Sequence, residues 1–188
     1  MNKNIIKIYE KSTEEEISNG GNWFSEARQL AKDIGELYSI DFRKVAGVLS
    51  ILSPGTSWER NIIDAKNLIK DWKDGKADQT VITSYKFNKT KAIKFLDSSS
   101  FDFPGCKHRL KTACFYDNII NPDSKRVTID RHAIKVYHGA KYPGGVDVSL
   151  NKYLMVEKSF VETANEINII PCNLQAITWL TYKRLMNR

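Results

Sequence analysis

Apolar side chains recur every three or four residues along most of this chain, which has 188 residues. That spacing places them on one face of a helix, whereas a strand with one buried face alternates at every second residue. Strand-like runs are limited to residues 80–83 and 127–129. The sequence therefore predicts an all-α fold.

The ends of the predicted helices carry residues that favour helix starts and stops. Asp41 is placed to cap one helix, and Thr56 with Glu59 matches the capping box at the start of the next. Glycine turns and the pair Asn121-Pro122 stop other helices. The predicted helices cover residues 22–38, 42–52, 56–73, 88–96, about 108–120, 131–138, 150–167 and 172–186.

Basic side chains outnumber acidic ones, 29 to 22, which gives a net charge of +7 and a pI near 9.2. This balance favours a polyanionic partner, of which nucleic acid is the simplest. No apolar run approaches the ~20 residues that span a membrane, and the polar N-terminus has no signal-peptide core. We therefore expect a monomeric, cytoplasmic protein that binds nucleic acid and no membrane.

The three cysteines, Cys106, Cys114 and Cys172, are odd in number, and none belongs to a Cys-x-x-Cys pair. In a cytosolic protein such thiols are expected to be reduced and mostly buried. The pattern predicts no zinc or iron–sulfur site, and we expect no metal and no cofactor.

The most informative segment for function is residues 127–133. A short β-branched run there brings Asp130 to the start of a new amphipathic helix. The exposed N–H groups of a helix start would keep this carboxylate ionised in a sheltered place. Lys111 stands 19 residues earlier, after a tight turn at Pro104-Gly105. A fixed carboxylate and a lysine in one cleft are what chemistry at the anomeric carbon of a sugar requires.

Four segments between about Val45 and Val136 carry motifs in a fixed order. They read Leu-Ser-Pro-Gly-Thr at 52–56 with Asn61 and Ala65 behind it, Phe-Asn-Lys-Thr-Lys-Ala at 87–92, Phe-Pro-Gly and then Lys-Thr-Ala within 103–113, and Ile-Asp-Arg-His at 129–132. Together they resemble the helix-hairpin-helix base-excision DNA glycosylases, the superfamily of endonuclease III. The resemblance implies a two-lobed helical domain with a degenerate helix-hairpin-helix motif and a central active-site cleft. The lobes would be roughly residues 40–138, and residues 1–39 with 139–188.

The resemblance also implies an activity. A member of this superfamily flips a damaged or modified base out of double-stranded DNA and excises it. Asp130 would stabilise the positive charge that develops on the sugar. Lys111, if its amine is neutral, would form a Schiff base and give an associated AP lyase. His132 is the third candidate catalytic residue.

Contacts to DNA follow from the same resemblance. Gly105, Lys107, His108 and Arg109 of the hairpin, together with Arg131, are expected to contact phosphates. Two extra residues in the hairpin, and Lys107 in place of a second glycine, make the motif degenerate.

The base pocket is expected to include Ser53, Gly55, Thr56, Trp58 and Asn61. Trp58 is placed to stack on a base. Gly55 stands where the family has a glutamine that fills the gap left by the extruded base. A small residue there predicts room for a bulky, hypermodified base, which would suit a conflict between a virus and its host.

Each of these residues also has a plain structural interpretation. Asp130 could be only a helix cap, Lys111 a solvated lysine, and His132 a buried imidazole with its hydrogen bonds satisfied. Tyr85 and Phe87 are further candidates for stacking on a base. Two other functions stay open: an enzyme that modifies bases or nucleotides on the same fold, and a non-catalytic, basic helical protein that binds DNA.

Overall fold

The computed structural model describes residues 1–103, 110–139, 141–144 and 149–186. Within these residues the chain forms nine α-helices, one 3-10 helix and no strand, which confirms the predicted all-α fold. The helices are α1 (Lys3–Tyr9), α2 (Glu14–Tyr38), α3 (Phe42–Leu52), α4 (Trp58–Lys73), α5 (Lys86–Asp97), α6 (Leu110–Ile120), α7 (Arg131–His138), α8 (Leu150–Glu166) and α9 (Pro171–Leu185), with the 3-10 helix at Ala77–Gln79.

Side-chain caps fix where several helices begin. The Asp41 carboxylate accepts the backbone N–H two residues ahead at 2.8 Å, so α3 begins where the sequence predicts. The cap of α4 is Ser57 rather than Thr56, and its hydroxyl oxygen accepts the N–H of Arg60 at 3.3 Å. Glu59 therefore lies at the second helical position, whereas a capping box needs it at the third, and that prediction is wrong.

A capping box does open α2, well before the predicted start at Asn22. The hydroxyl oxygen of Thr13 accepts the N–H of Glu16 at 3.2 Å, and the Glu16 carboxylate accepts the N–H of Thr13 at 3.0 Å. The first helix, α1, was not predicted at all. Its Ile5 and Ile8 are buried, and it packs against α7, α8 and α9. Tertiary packing stabilises these two stretches, which have little apolar periodicity of their own.

The chain divides into two compact units. The first unit comprises Met1–Glu26 and Asn121–Arg188, and the second comprises Ala27–Ile120. The limits differ from those of the predicted lobes for residues 27–39 and 121–138. Residues 121–138 belong to the first unit because α7 packs against α1, α8 and α9.

In the second unit α3 packs against α4, α5 and α6. Lys44 of α3 is only 9% exposed, and burial lowers the pKa of its ammonium group. This group donates three hydrogen bonds, to the carbonyls of Phe95, Ser98 and Ser100, at 2.6, 2.5 and 2.8 Å. The lysine thereby satisfies carbonyls at the end of α5 and ties the chain after α5 to α3.

Gly47 lies where α3 packs closely against Phe95 of α5, and a substitution there tests this packing. A Cβ atom on Gly47 would overlap the ring of Phe95, so Gly47→Ala should lower the free energy of unfolding by about 1–3 kcal/mol. Gly21→Ala is the matched control in a helix, since nothing lies within 4 Å of its added Cβ. That control should raise the free energy of unfolding by about 0.5–1 kcal/mol, because alanine favours helix more than glycine does. Urea unfolding measures both; a Gly47→Ala protein as stable as wild type would contradict the packing.

Candidate functional site

The chain leading to Asp130 is fixed by two side chains of α8. The hydroxyl of Tyr153 donates to the carbonyl of Val127 at 2.8 Å and accepts the N–H of Ile129 at 3.1 Å. The Glu157 carboxylate accepts the N–H of Val127 at 3.0 Å. These bonds satisfy backbone groups of a buried segment that forms neither helix nor strand. The backbone that leads into Asp130 is therefore held in place by α8.

Glu157 is a buried carboxylate that the sequence analysis passed over. It is 7% exposed, and Arg126 pairs with it through Nε at 2.7 Å from Oε1. A buried charge is tolerated when it is paired and hydrogen-bonded, as here. The sequence did carry a signal, because Glu157 stands between Val156 and Phe160 on the apolar side of α8.

Asp130 caps α7, as the sequence predicts. Its Oδ1 accepts the backbone N–H groups of His132 and Ala133 at 2.9 and 2.8 Å, and its side chain is 17% exposed. Two backbone donors at the positive end of a helix favour the ionised carboxylate. The first unit thus holds a fixed, sheltered negative charge.

The tautomer of His132, beside this carboxylate, follows from its neighbours. The indole N–H of Trp179 donates to Nδ1 of His132 at 3.0 Å. An indole nitrogen can only donate, so Nδ1 must accept, and the proton of the neutral imidazole lies on Nε2. Oδ2 of Asp130 is 3.3 Å from the same Nδ1, and in this tautomer that contact is not a hydrogen bond.

Trp179 is a second residue of this site, after Glu157, whose role the sequence did not reveal. It lies on an apolar stripe of α9, which is typical of a core residue, yet it is only half-buried. Its ring lies 6.0 Å from that of His132 and 5.7 Å from that of Trp23, and the ammonium of Lys183 lies 4.3 Å from its centroid. No local pattern reveals its bond to His132, because the two residues are 47 positions apart in the chain.

Lys111 belongs to the second unit, whereas Asp130 and His132 belong to the first. It lies in the first turn of α6 and is half-buried. Together with Thr112 it lines a groove of about 290 Å³. The candidate lysine therefore borders a concave surface within its own unit.

Two predicted base-pocket residues lie in α4 and make contacts within the second unit. Asn61 is 1% exposed, and its amide donates to the carbonyl of Leu49 at 2.9 Å. It joins α4 to α3 and does not face open space. Trp58 is half-buried, with its ring edge-to-face against Phe115 at 6.0 Å between centroids.

The other three, Ser53, Gly55 and Thr56, lie between α3 and α4. The hydroxyls of Ser53 and Thr56 donate to nearby backbone carbonyls at 3.0 and 3.4 Å. Gly55 has a φ of 81°, which favours glycine, and a Cβ there would lie 3.3 Å from Cε2 of Tyr85. The space beside Gly55 is thus bordered by the ring of Tyr85, and the room predicted there for a bulky base stays a prediction.

The predicted hairpin contacts stay predictions. Gly105, Lys107, His108 and Arg109 lie outside the described residues. Arg131, also predicted to contact phosphate, is the first residue of α7 and is exposed.

Comparison with known sequences matches one family, over residues 1–185. The chain belongs to the DUF7178 family, a family of unknown function. No curated protein and no solved structure matches this DUF7178 chain. None of its described helices is long and apolar enough to cross a membrane. Its described residues also include no group of three or more His, Cys, Asp or Glu side chains placed to hold a metal ion.

The tautomer of His132 can be measured by ¹⁵N NMR of the histidine side chains. At neutral pH the His132 signals should show a proton on Nε2 and none on Nδ1. In Trp179→Phe the population should move toward the Nδ1–H tautomer, because Nδ1 then lacks a donor and lies 3.3 Å from the Asp130 carboxylate. His138 serves as the internal control and should not change. A proton on Nδ1 in the wild-type protein would contradict the assignment.

Proposed function

We propose that this DUF7178 protein is a DNA N-glycosylase that flips out and excises a damaged or modified base. The observation that carries the proposal is the Asp130 carboxylate, held by two backbone N–H groups at the start of α7. As a base departs, positive charge develops at C1′ and at the ring oxygen of the sugar. A fixed negative charge stabilises that transition state more than the neutral ground state.

The reaction uses few protein groups. The C1′–N bond breaks, its electron pair leaves with the base, and a water molecule adds to C1′. Asp130 orients that water and accepts its proton, which it returns to solvent. The departed base takes up one proton from solvent, so the sum of the steps is hydrolysis of the C1′–N bond. His132 lies beside the carboxylate but donates no hydrogen bond to it, because its Nδ1 accepts the indole N–H of Trp179.

Double-stranded DNA is the proposed partner. The chain carries a net charge of +7, and the exposed Arg131 directly follows Asp130. Extruding a base costs a few kcal/mol, and contacts between cationic side chains and phosphates supply much of the compensating binding energy. The resemblance of four ordered segments to the glycosylase superfamily supports the same partner.

Asp130→Asn tests the proposal. The amide keeps an oxygen that can cap α7 but cannot offset a full positive charge, so base release should fall by at least about 100-fold. DNA binding and the circular-dichroism spectrum should stay as in wild type. The assay measures free base released from duplexes that carry a panel of modified bases, with Asp123→Asn, on an exposed loop, as the control.

Unchanged release by Asp130→Asn would refute the role of Asp130. Tight DNA binding by the wild type without release from any duplex in the panel would instead support the non-catalytic DNA-binding function.

Whether the enzyme also cleaves the DNA strand depends on whether the amine of Lys111 can attack C1′. A Schiff base forms only if a neutral amine comes within ~3–3.5 Å of C1′. We expect borohydride to trap a covalent protein–DNA adduct in the wild type and in Lys70→Ala, whose lysine is exposed on α4, but not in Lys111→Ala. Base release without any trapped adduct, and abasic DNA that breaks only in hot alkali, would show a monofunctional enzyme.

A further inference from the structure

The groove in the second unit combines aromatic and cationic side chains. Tyr85 and Phe87, at the start of α5, form one wall, while Lys91 and Lys111 bring positive charge to its lining. The groove measures about 290 Å³, near the lower end for sites that bind small organic molecules. A single base with its sugar is of this size class.

The two aromatic rings are exposed and stacked on each other. Tyr85 is 57% exposed and Phe87 is 51% exposed, and their rings are parallel within 6° at 5.4 Å between centroids. The backbone of Gly55 lies close beside the Tyr85 ring, and the Lys91 ammonium lies 5.1 Å from the centroid of Phe87. Neighbouring aromatic rings that are exposed at the surface are typical of binding surfaces.

The charges around the rings select for an anionic ligand. Two lysines line the groove, and none of its described lining residues carries a carboxylate. Lys86 and Lys94, also on α5, are exposed and add positive charge to the same helix. Aromatic rings with nearby cations match the base and the phosphate of a nucleotide, and proteins that bind single strands combine these two features.

We propose that this groove binds an unpaired nucleotide of single-stranded DNA, with the base against the rings of Tyr85 and Phe87 and the phosphate near Lys91. The proposal goes beyond base release, because binding here requires no bond to break and does not involve Asp130. It gives the second unit an affinity for single strands of its own.

Fluorescence anisotropy of the full chain with a labelled dodecathymidylate tests the proposal. The wild type should bind it at least fivefold more tightly than a strand of twelve abasic nucleotides, since each stacked base contributes about 1–3 kcal/mol. This comparison needs no variant. Equal affinity for the two strands, or equally effective competition by heparin, would show a general polyanion surface and overturn the proposal.

Variants then locate the site. Phe87→Ala and Tyr85→Ala should each weaken binding of dodecathymidylate by about fivefold or more. Lys91→Met should reduce the slope of log affinity against log salt by about 0.7. Val81→Ala is the control, because Val81 is 80% exposed in the nearby chain and does not line the groove.

Two further results separate this proposal from the proposed glycosylase. Asp130→Asn should bind dodecathymidylate like wild type, so loss of base release with retained binding leaves the groove assignment intact. Wild-type affinity in both aromatic variants, with unchanged circular-dichroism spectra, would refute it whatever the outcome of the glycosylase assay.

Discussion

The geometry around Asp130 depends on two hydrogen bonds made by the hydroxyl of Tyr153. This hydroxyl bonds to the carbonyl of Val127 and to the N–H of Ile129, and so replaces the backbone partners that a strand would have had. With this segment fixed, α7 begins at one defined residue and its first free N–H groups meet a carboxylate. The charge is therefore in place before any substrate arrives, which is the condition for electrostatic preorganisation.

Features set by neighbours in the chain could be predicted from the sequence. The caps Asp41 and Asp130, and the glycine after α7, depend on side chains within a few residues of the helix end they serve. Local chemistry also explains why the cap of α4 was assigned to the wrong residue. Thr56 and Ser57 both favour the N-cap position, and the sequence pattern does not show which of the two adjacent hydroxyls caps the helix. The capping box of α2 was visible at Thr13 and Glu16 but had no apolar stripe behind it.

Features set by contacts between distant segments could not be predicted. The bond from Trp179 to His132 joins α9 to α7, and the approach of Tyr85 to Gly55 joins the start of α5 to the loop after α3. The resemblance to glycosylases assigned Gly55 a role in making room, whereas the fold brings an aromatic ring beside it. Asn61 likewise matches a pocket motif in sequence and is fully buried between helices. The order of the motifs indicates the order of the elements along the chain. The surroundings of each side chain depend on how those elements pack.

The central claim is that Asp130 stabilises positive charge on a sugar, and a charged analogue tests it without knowledge of the target base. One duplex carries a pyrrolidine abasic nucleotide, which is cationic at the position of the anomeric carbon, and a matched duplex carries the neutral tetrahydrofuran analogue. The wild type should bind the cationic duplex about 100-fold more tightly or better, as enzymes bind analogues of their transition states, and Asp130→Asn should lose most of that preference. Equal affinity of the wild-type protein for the two duplexes would contradict the account.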